Sequence, residues 1–206
     1  MSQYRQERRV FDRLREDLST QAKEEYELSI AALLERYNTT IHENRFVVGG
    51  AVEVFTCALL RSVGIDCTLY ADQAKYGDIL LPNDRKLSVK GSFVGGIKSV
   101  KLINKLGGGR REWTTATLFV VAEVGIIYGN PDLVADEHIQ DVSDGTQITA
   151  AGMRLLSENP MNVLEMEILR KPPTEMTGFS HKASTAVARQ ILQDIQAEGL
   201  LSTFPS

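Results

Sequence analysis

Cysteine is scarce in this chain: two of 206 residues, Cys57 and Cys67, with no C-x-x-C pair between them. Three scattered histidines add no zinc-ligand spacing, so a structural zinc site or a disulfide framework is not expected. Nowhere does an apolar run approach the roughly 18 residues needed to cross a bilayer. The opening MSQYRQERRVFDRLRED is too charged for a signal peptide. A cytoplasmic protein with no membrane partner is the expectation. Repeats, low-complexity tracts and obvious linkers are missing too. With 43% hydrophobic and 24% charged residues, the composition suits one globular domain with a real core.

Acidic residues are missing from one long stretch. The formal charge is −4, which argues against a protein that coats nucleic acid through a bulk positive field. Yet Arg85 to Arg111 holds Arg85, Lys86, Lys90, Lys98, Lys101, Lys105, Arg110 and Arg111 and no Asp or Glu. Such an asymmetry points to a polyanionic partner.

Helical spacing predicts a helix over Gln3 to Asp17 and a second one capped by Ser19 or Thr20. The second has Tyr26, Ile30, Leu33 and Leu34 on one face. After a polar connection, a third helix is predicted from Asn44 to Val63, closed by Gly64. The period then changes to that of strands, at Cys67 to Ala71, Asp78 to Leu81, Lys86 to Lys90 and Ser99 to Ile103. Thr115 to Ile127 is almost uninterruptedly apolar and reads as one strand buried on both faces. A helix at Thr149 to Glu158, a strand at Val163 to Leu169 and a long helix from Ser180 to Glu198, closed by Gly199, complete the chain. This order predicts an α/β fold, a central mixed β-sheet flanked by helices with a helical N-terminal lead-in. Within a single domain, residues 1–43 form that lead-in, 44–128 the catalytic core, and 129–206 complete the sheet and offer a recognition or dimer surface.

In YGDILLPNDRKLSVKGSF, Ile79, Leu81, Leu87 and Val89 alternate with polar positions, the pattern of a hairpin. An odd loop keeps the apolar set on one face. A three-residue loop, Asn83 to Arg85, sets Asp78 across from Lys90, Ile79 across from Val89 and Leu81 across from Leu87. Asp78, Ser88 and Lys90 then share a face. A carboxylate beside a lysine suits a place where a hard cation such as Mg²⁺ meets a phosphate, with Lys90 orienting water or neutralising charge. Glu53 is the one charged residue in FVVGGAVEVFTCALL, and a carboxylate in so apolar a helix needs a partner or a metal.

These residues resemble the PD-(D/E)xK nuclease superfamily, which includes many type II restriction endonucleases and archaeal Holliday-junction resolvases. The resemblance covers roughly residues 44 to 104. It implies a restriction-endonuclease-like core and Mg²⁺ as cofactor. By the same resemblance, Glu53, Asp78, Ser88 and Lys90 would form the catalytic group, and Asp78, Glu53 and the Val89 backbone carbonyl would be the metal ligands. Gly77 stands where the family has proline, and Ser88 where it has an acid. Glu53 is one source for the missing carboxylate; Asp72 and Glu112 are weaker substitutes. For DNA contact the expected residues are Lys98, Lys101, Asn104, Lys105, Arg110 and Arg111. Trp113 and His181 read as core and cap. The function implied is that of a homodimeric restriction endonuclease cutting double-stranded DNA at a short site. The alternatives are a structure-specific or repair endonuclease such as a junction resolvase, and a DNA-binding module that lost catalysis at Ser88.

Overall fold

A computed structural model describes residues 2–37, 42–70, 78–104, 112–143, 145–170 and 184–205, with the side chains of 42–45, 103, 104, 184 and 186 excepted. The chain opens on three helices, α1 (Arg5–Asp17), α2 (Thr20–Arg36) and α3 (His42–Ser62). Their ends follow from local chemistry. The Ser19 hydroxyl accepts the Ala22 N–H and so satisfies one of the orphan donors of α2. At the end of α3, Gly64 takes φ +72°, and the Gly64 and Ile65 N–H groups return to the carbonyls of Arg61 and Leu60.

Among the described residues two sheets follow. In the larger one, β1 (Thr68–Leu69), β2 (Ile79–Leu80), β3 (Lys86–Ser92), β5 (Thr117–Val121), β6 (Gly125–Gly129) and β9 (Val163–Glu165) lie side by side in that order. Only β3 and β5 pair in parallel, so the sheet is mixed. The smaller sheet, in order β4 (Val100–Asn104), β8 (Gly145–Ile148) and β7 (Ile139–Val142), is antiparallel.

Alternation along β5 divides the core in two. Leu118 and Val120, with Leu87, Val89, Ile126 and Tyr128, pack under α1, α2, α3 and α5 (Ser184–Asp194). Phe119 and Val121, with Ile127, face the other way. They meet Trp113, Val100 and Leu102 of β4, Ile148 of β8, and Met153 and Leu156 of α4 (Ala150–Glu158). Helices thus flank a mixed central sheet, as the element order predicts, and the small sheet covers part of one face. No helix among the described residues is long and apolar enough to cross a membrane.

Several sequence expectations are corrected. Thr115 to Ile127 is not one strand but the hairpin β5–β6, turned at Ala122–Val124 with Glu123 at φ +67°. Both arms are fully buried, so the lone acid Glu123 is all that marks the bend. Gly125 (φ +116°) begins β6 where the Leu164 carbonyl approaches so closely that a Cβ would collide with it. The strand expected to Leu169 stops at Glu165. Residues 139–148, not assigned to any element from sequence, supply β7 and β8.

The C-terminal helix is also divided. α5 ends at Asp194, Gln196 turns at φ +57°, and a short α6 (Glu198–Ser202) contains Gly199 instead of ending before it. The start of the expected helix, Ser180 to Ala183, lies outside the described residues. Beyond the break, the carboxylate of Glu25 on α2, buried at 9% exposure, accepts the N–H groups of Gly199 (3.1 Å) and Leu200 (2.7 Å). A carboxylate at a helix N-terminus satisfies donors that the chain itself cannot. Glu25→Ala is therefore expected to lose about 2–3 kcal/mol of stability in urea titrations, with Glu25→Gln in between.

Candidate active site

Glu53 reaches the site from α3, and Asp78, Ser88 and Lys90 reach it from the β2–β3 hairpin. The hairpin has the expected odd loop but not the expected register. Ile79 pairs with Leu87 and Leu80 with Lys86, two residues from the predicted pairing, and the loop is Pro82–Asp84 instead of Asn83 to Arg85. Proline explains the shift. Having no N–H, Pro82 cannot join the ladder, and its fixed φ starts a 3₁₀ turn. Asn83 and Asp84 follow at φ +59° and +57°, which Asn and Asp tolerate best among residues with a Cβ, and Leu81 N–H closes the loop on the Arg85 carbonyl (2.7 Å). Asp78 is accordingly not directly across from Lys90. A shift of two residues preserves parity, so the facing of the apolar residues survives it.

Asp78 stands where strand pairing ends. Its own N–H reaches the Leu87 carbonyl (2.8 Å), and its carboxylate then takes the place of a backbone carbonyl for the next donor, the N–H of Val89 (2.6 Å). The same oxygen, Oδ2, accepts the Ser88 hydroxyl at 2.8 Å and Lys90 Nζ at 3.3 Å. Three donors converge on one oxygen; among the described residues none reaches Oδ1. The side chains of Asp78 and Lys90 are 20% and 28% exposed, open enough for a ligand. The Lys90 contact is longer than the 2.7–2.9 Å typical of a tight charged pair, so its ammonium keeps donors for another acceptor.

Backbone direction adds a fourth group. Ser88 N–H bonds the Ala116 carbonyl, so the backbone of Ser88 faces β5. Neighbouring backbone groups alternate along a strand, which turns the Val89 carbonyl, like its N–H, toward the edge where Asp78 sits.

Glu53 is half-buried, and its carboxyl is pushed up to about 7, first by burial, then by the Asp78 charge, with Lys90 pulling the other way. Glu53, Asp78 and Lys90 therefore share one electrostatic site. A pair of carboxylates in partial competition, one of them titrating near neutrality, marks a functional site more often than a structural one.

Other predicted residues fall elsewhere. Glu112 is exposed ahead of Trp113 and is not among the charges that act on Glu53; Asp72 lies outside the described residues. Lys98 is exposed before β4, and Lys101 is half-buried on β4. Asn104 ends that strand, while Lys105, Arg110, Arg111 and His181 lie outside the described residues. Trp113 belongs to the core, its Nε1–H donating to Thr117 Oγ1 (3.1 Å). Cys57 and Cys67 are buried free thiols in contact, 3.7 Å apart at sulfur, where α3 meets the start of β1.

A brace that sequence reasoning did not find lies past the end of β3. Glu123, in the β5–β6 turn, accepts the Gly96 N–H (3.2 Å) and pairs with Arg170 (2.7 Å), tying the loop after Lys90 to the chain beyond β9. Its only sequence signal is a lone acid inside an apolar run.

Among the described residues no three His, Cys, Asp or Glu side chains cluster as a metal site. What the site offers is two carboxylates and one backbone carbonyl. No family model, curated protein or solved structure matches the chain.

Proposed function

We propose that the chain is a Mg²⁺-dependent endodeoxyribonuclease of the PD-(D/E)xK kind, a restriction-endonuclease-like enzyme that cuts double-stranded DNA at a short specific site as a homodimer. The observation that carries this reading is the convergence at Asp78. One carboxylate oxygen gathers Ser88, Val89 and Lys90 while Glu53 approaches with its carboxyl near neutrality. The element order supports it as well, since a helix bearing Glu precedes a hairpin whose arms carry Asp and then Lys.

The donor set fits a hard cation. Asp78 Oδ1, the Glu53 carboxylate and the Val89 carbonyl are all oxygens, and Mg²⁺ needs only one or two carboxylates when phosphate and water fill its remaining positions. When bound there, Mg²⁺ supplies charge neutralisation to the scissile phosphate. The protein's own groups do the rest. Lys90 donates to a phosphate oxygen and to water, lowering the cost of charge that develops as the P–O bond breaks. Ser88 and the Val89 N–H hold the Asp78 carboxylate in one orientation, so its free oxygen is aimed before any ligand arrives. Lys98 and Lys101, near the hairpin in sequence, are suited to phosphate contacts that position the duplex.

Digestion of a fully sequenced plasmid in Mg²⁺, with sequencing of the ends, tests this reading. Discrete fragments that share an end sequence are expected, and EDTA should abolish them. Intact plasmid at every salt concentration would overturn the proposal. The second reading, a DNA-binding module without catalysis, is favoured by the serine at position 88 and the missing third acid. Duplex binding without cutting in the same experiment would select it.

A further inference from the structure

The two cysteines of the chain meet inside it. Cys57 lies on α3, one turn beyond Glu53, and Cys67 stands just ahead of β1. The end of α3 brings them together. With the Gly64 and Ile65 N–H groups bonded back to the carbonyls of Arg61 and Leu60, the chain reverses and Cys67 returns beside the helix. The sulfurs are 3.7 Å apart, and the Cys67 Sγ is also 3.7 Å from the Cys57 carbonyl. Bonding distance is about 2.05 Å, so each sulfur needs to move only about 0.8 Å to reach it.

We propose that Cys57 and Cys67 are a reversible redox site, which a low-molecular-weight disulfide oxidises to an internal bond between α3 and the start of β1 in the folded protein. The Cys57 thiolate attacks one sulfur of that disulfide and expels a thiolate, leaving a mixed disulfide on Cys57. The Cys67 sulfur then attacks the Cys57 sulfur and expels the second thiolate. Two protein thiols are oxidised, the external disulfide is reduced to two thiols, and the two protons end on the expelled sulfurs. Buried cysteines that only pack are inert, whereas reactive ones have a cation nearby. Half-exposed Arg61, one turn beyond Cys57, is that cation, and its charge favours a thiolate at either sulfur. The Cys67 S–H contact pulls the Cys57 thiol below its ordinary value; burial opposes the pull and Arg61 adds to it. Cys67 is pushed up by the same contact and by burial, which makes Cys57 the first to attack.

Access comes through the edge of the sheet. Cys67 is buried, but its neighbours Asp66 and Thr68 are exposed, and β1 is two residues long and outermost in its sheet among the described residues. So short an edge strand opens locally at small cost compared with global unfolding. The bond would join the two elements that hold the carboxylates of the site. Glu53 is on α3, and the chain leaving β1 holds Asp78 through the Tyr70 N–H, which donates to the Asp78 carbonyl (3.0 Å). Oxidation would therefore fix the helix against the sheet edge one turn from Glu53.

The test equilibrates the full chain with reduced and oxidised glutathione over a range of ratios, starting from both the reduced and the oxidised protein. Acid quenching, alkylation and intact mass give the fraction that carries the internal bond, for the native chain and for the chain in concentrated urea. A pair already held in contact loses little freedom on bonding. The value of [GSH]²/[GSSG] at half-oxidation should therefore be at least about tenfold higher in the native chain than in urea. The unfolding constant of the oxidised chain should fall by the same factor relative to the reduced one, because the two equilibria form a closed cycle. An equal or lower value in the native chain overturns the inference, since the fold would then favour the thiols. A bond between chains in place of the internal one overturns it too, as does a native chain that exchanges from neither side. No DNA and no cleavage enter the experiment, so its result is independent of the nuclease reading.

Discussion

Glu53→Gln is expected to make the metal-free protein more stable at pH 8, by up to about 3 kcal/mol. The sign follows from proton linkage. The Glu53 carboxyl is raised from its ordinary 4.5 to about 7 in the folded state, by burial and then by Asp78, so the folded chain holds this proton more tightly than the unfolded one. Below about pH 4.5 the group is neutral in both states and contributes no penalty. As pH rises from 4.5 to 7 the buried charge becomes progressively more costly, and above 7 the full penalty applies. The wild-type protein should therefore lose stability between pH 5 and 8 through this group. Glu53→Gln should flatten that slope. Urea unfolding in EDTA at several pH values measures both. A variant less stable than wild type at pH 8 would mean that Glu53 has a compensating partner and is not held in reserve for a cation. Stability given up at a few positions is a common accompaniment of a functional site.

The largest effects on activity are expected at Asp78 and Lys90. Asp78→Asn keeps an oxygen for the Val89 N–H and the Ser88 hydroxyl, so the hairpin end should survive, while the negative charge is lost. Lys90→Ala removes the ammonium that contacts Asp78 and clears the place beside it. Each should lower single-turnover cleavage by about 10²–10³-fold or more, the magnitude typical of removing one preorganised electrostatic group. Asp78→Ala is a poorer probe, because it also strips a donor pair of its acceptor at a strand end, costing about 1–3 kcal/mol of stability. If Asp78→Asn cuts at the wild-type rate, the carboxylate is only a cap on the end of the sheet, and the nuclease proposal fails at its central residue.

Much of this site was legible in the chain because the signals are local. Ser19, Gly64 and Thr149 mark helix ends through bonds to residues no more than four positions away. Glu53 stands out because nothing else in its helix is charged over fifteen residues. Parity along the hairpin likewise depends only on neighbours in sequence, and it survived a two-residue error in register. The register itself did not, since it turns on where Pro82 interrupts the ladder. The bend at Glu123 escaped notice because both arms of β5–β6 are buried, and burial removes the polar half of the strand pattern. β7 and β8, four residues each, make sense only as a pair with β4.

For the Asp78 hairpin, then, the amino-acid order determined which residue types could meet and on which face. An alternating backbone with an odd loop permits no other facing. Only the tertiary structure decided that three donors would fall on one oxygen, that Glu53 would sit close enough to have its titration moved, and that Cys57 and Cys67 would meet at sulfur. Those outcomes depend on pairing, packing and desolvation between separate segments, and local propensity carries no record of them.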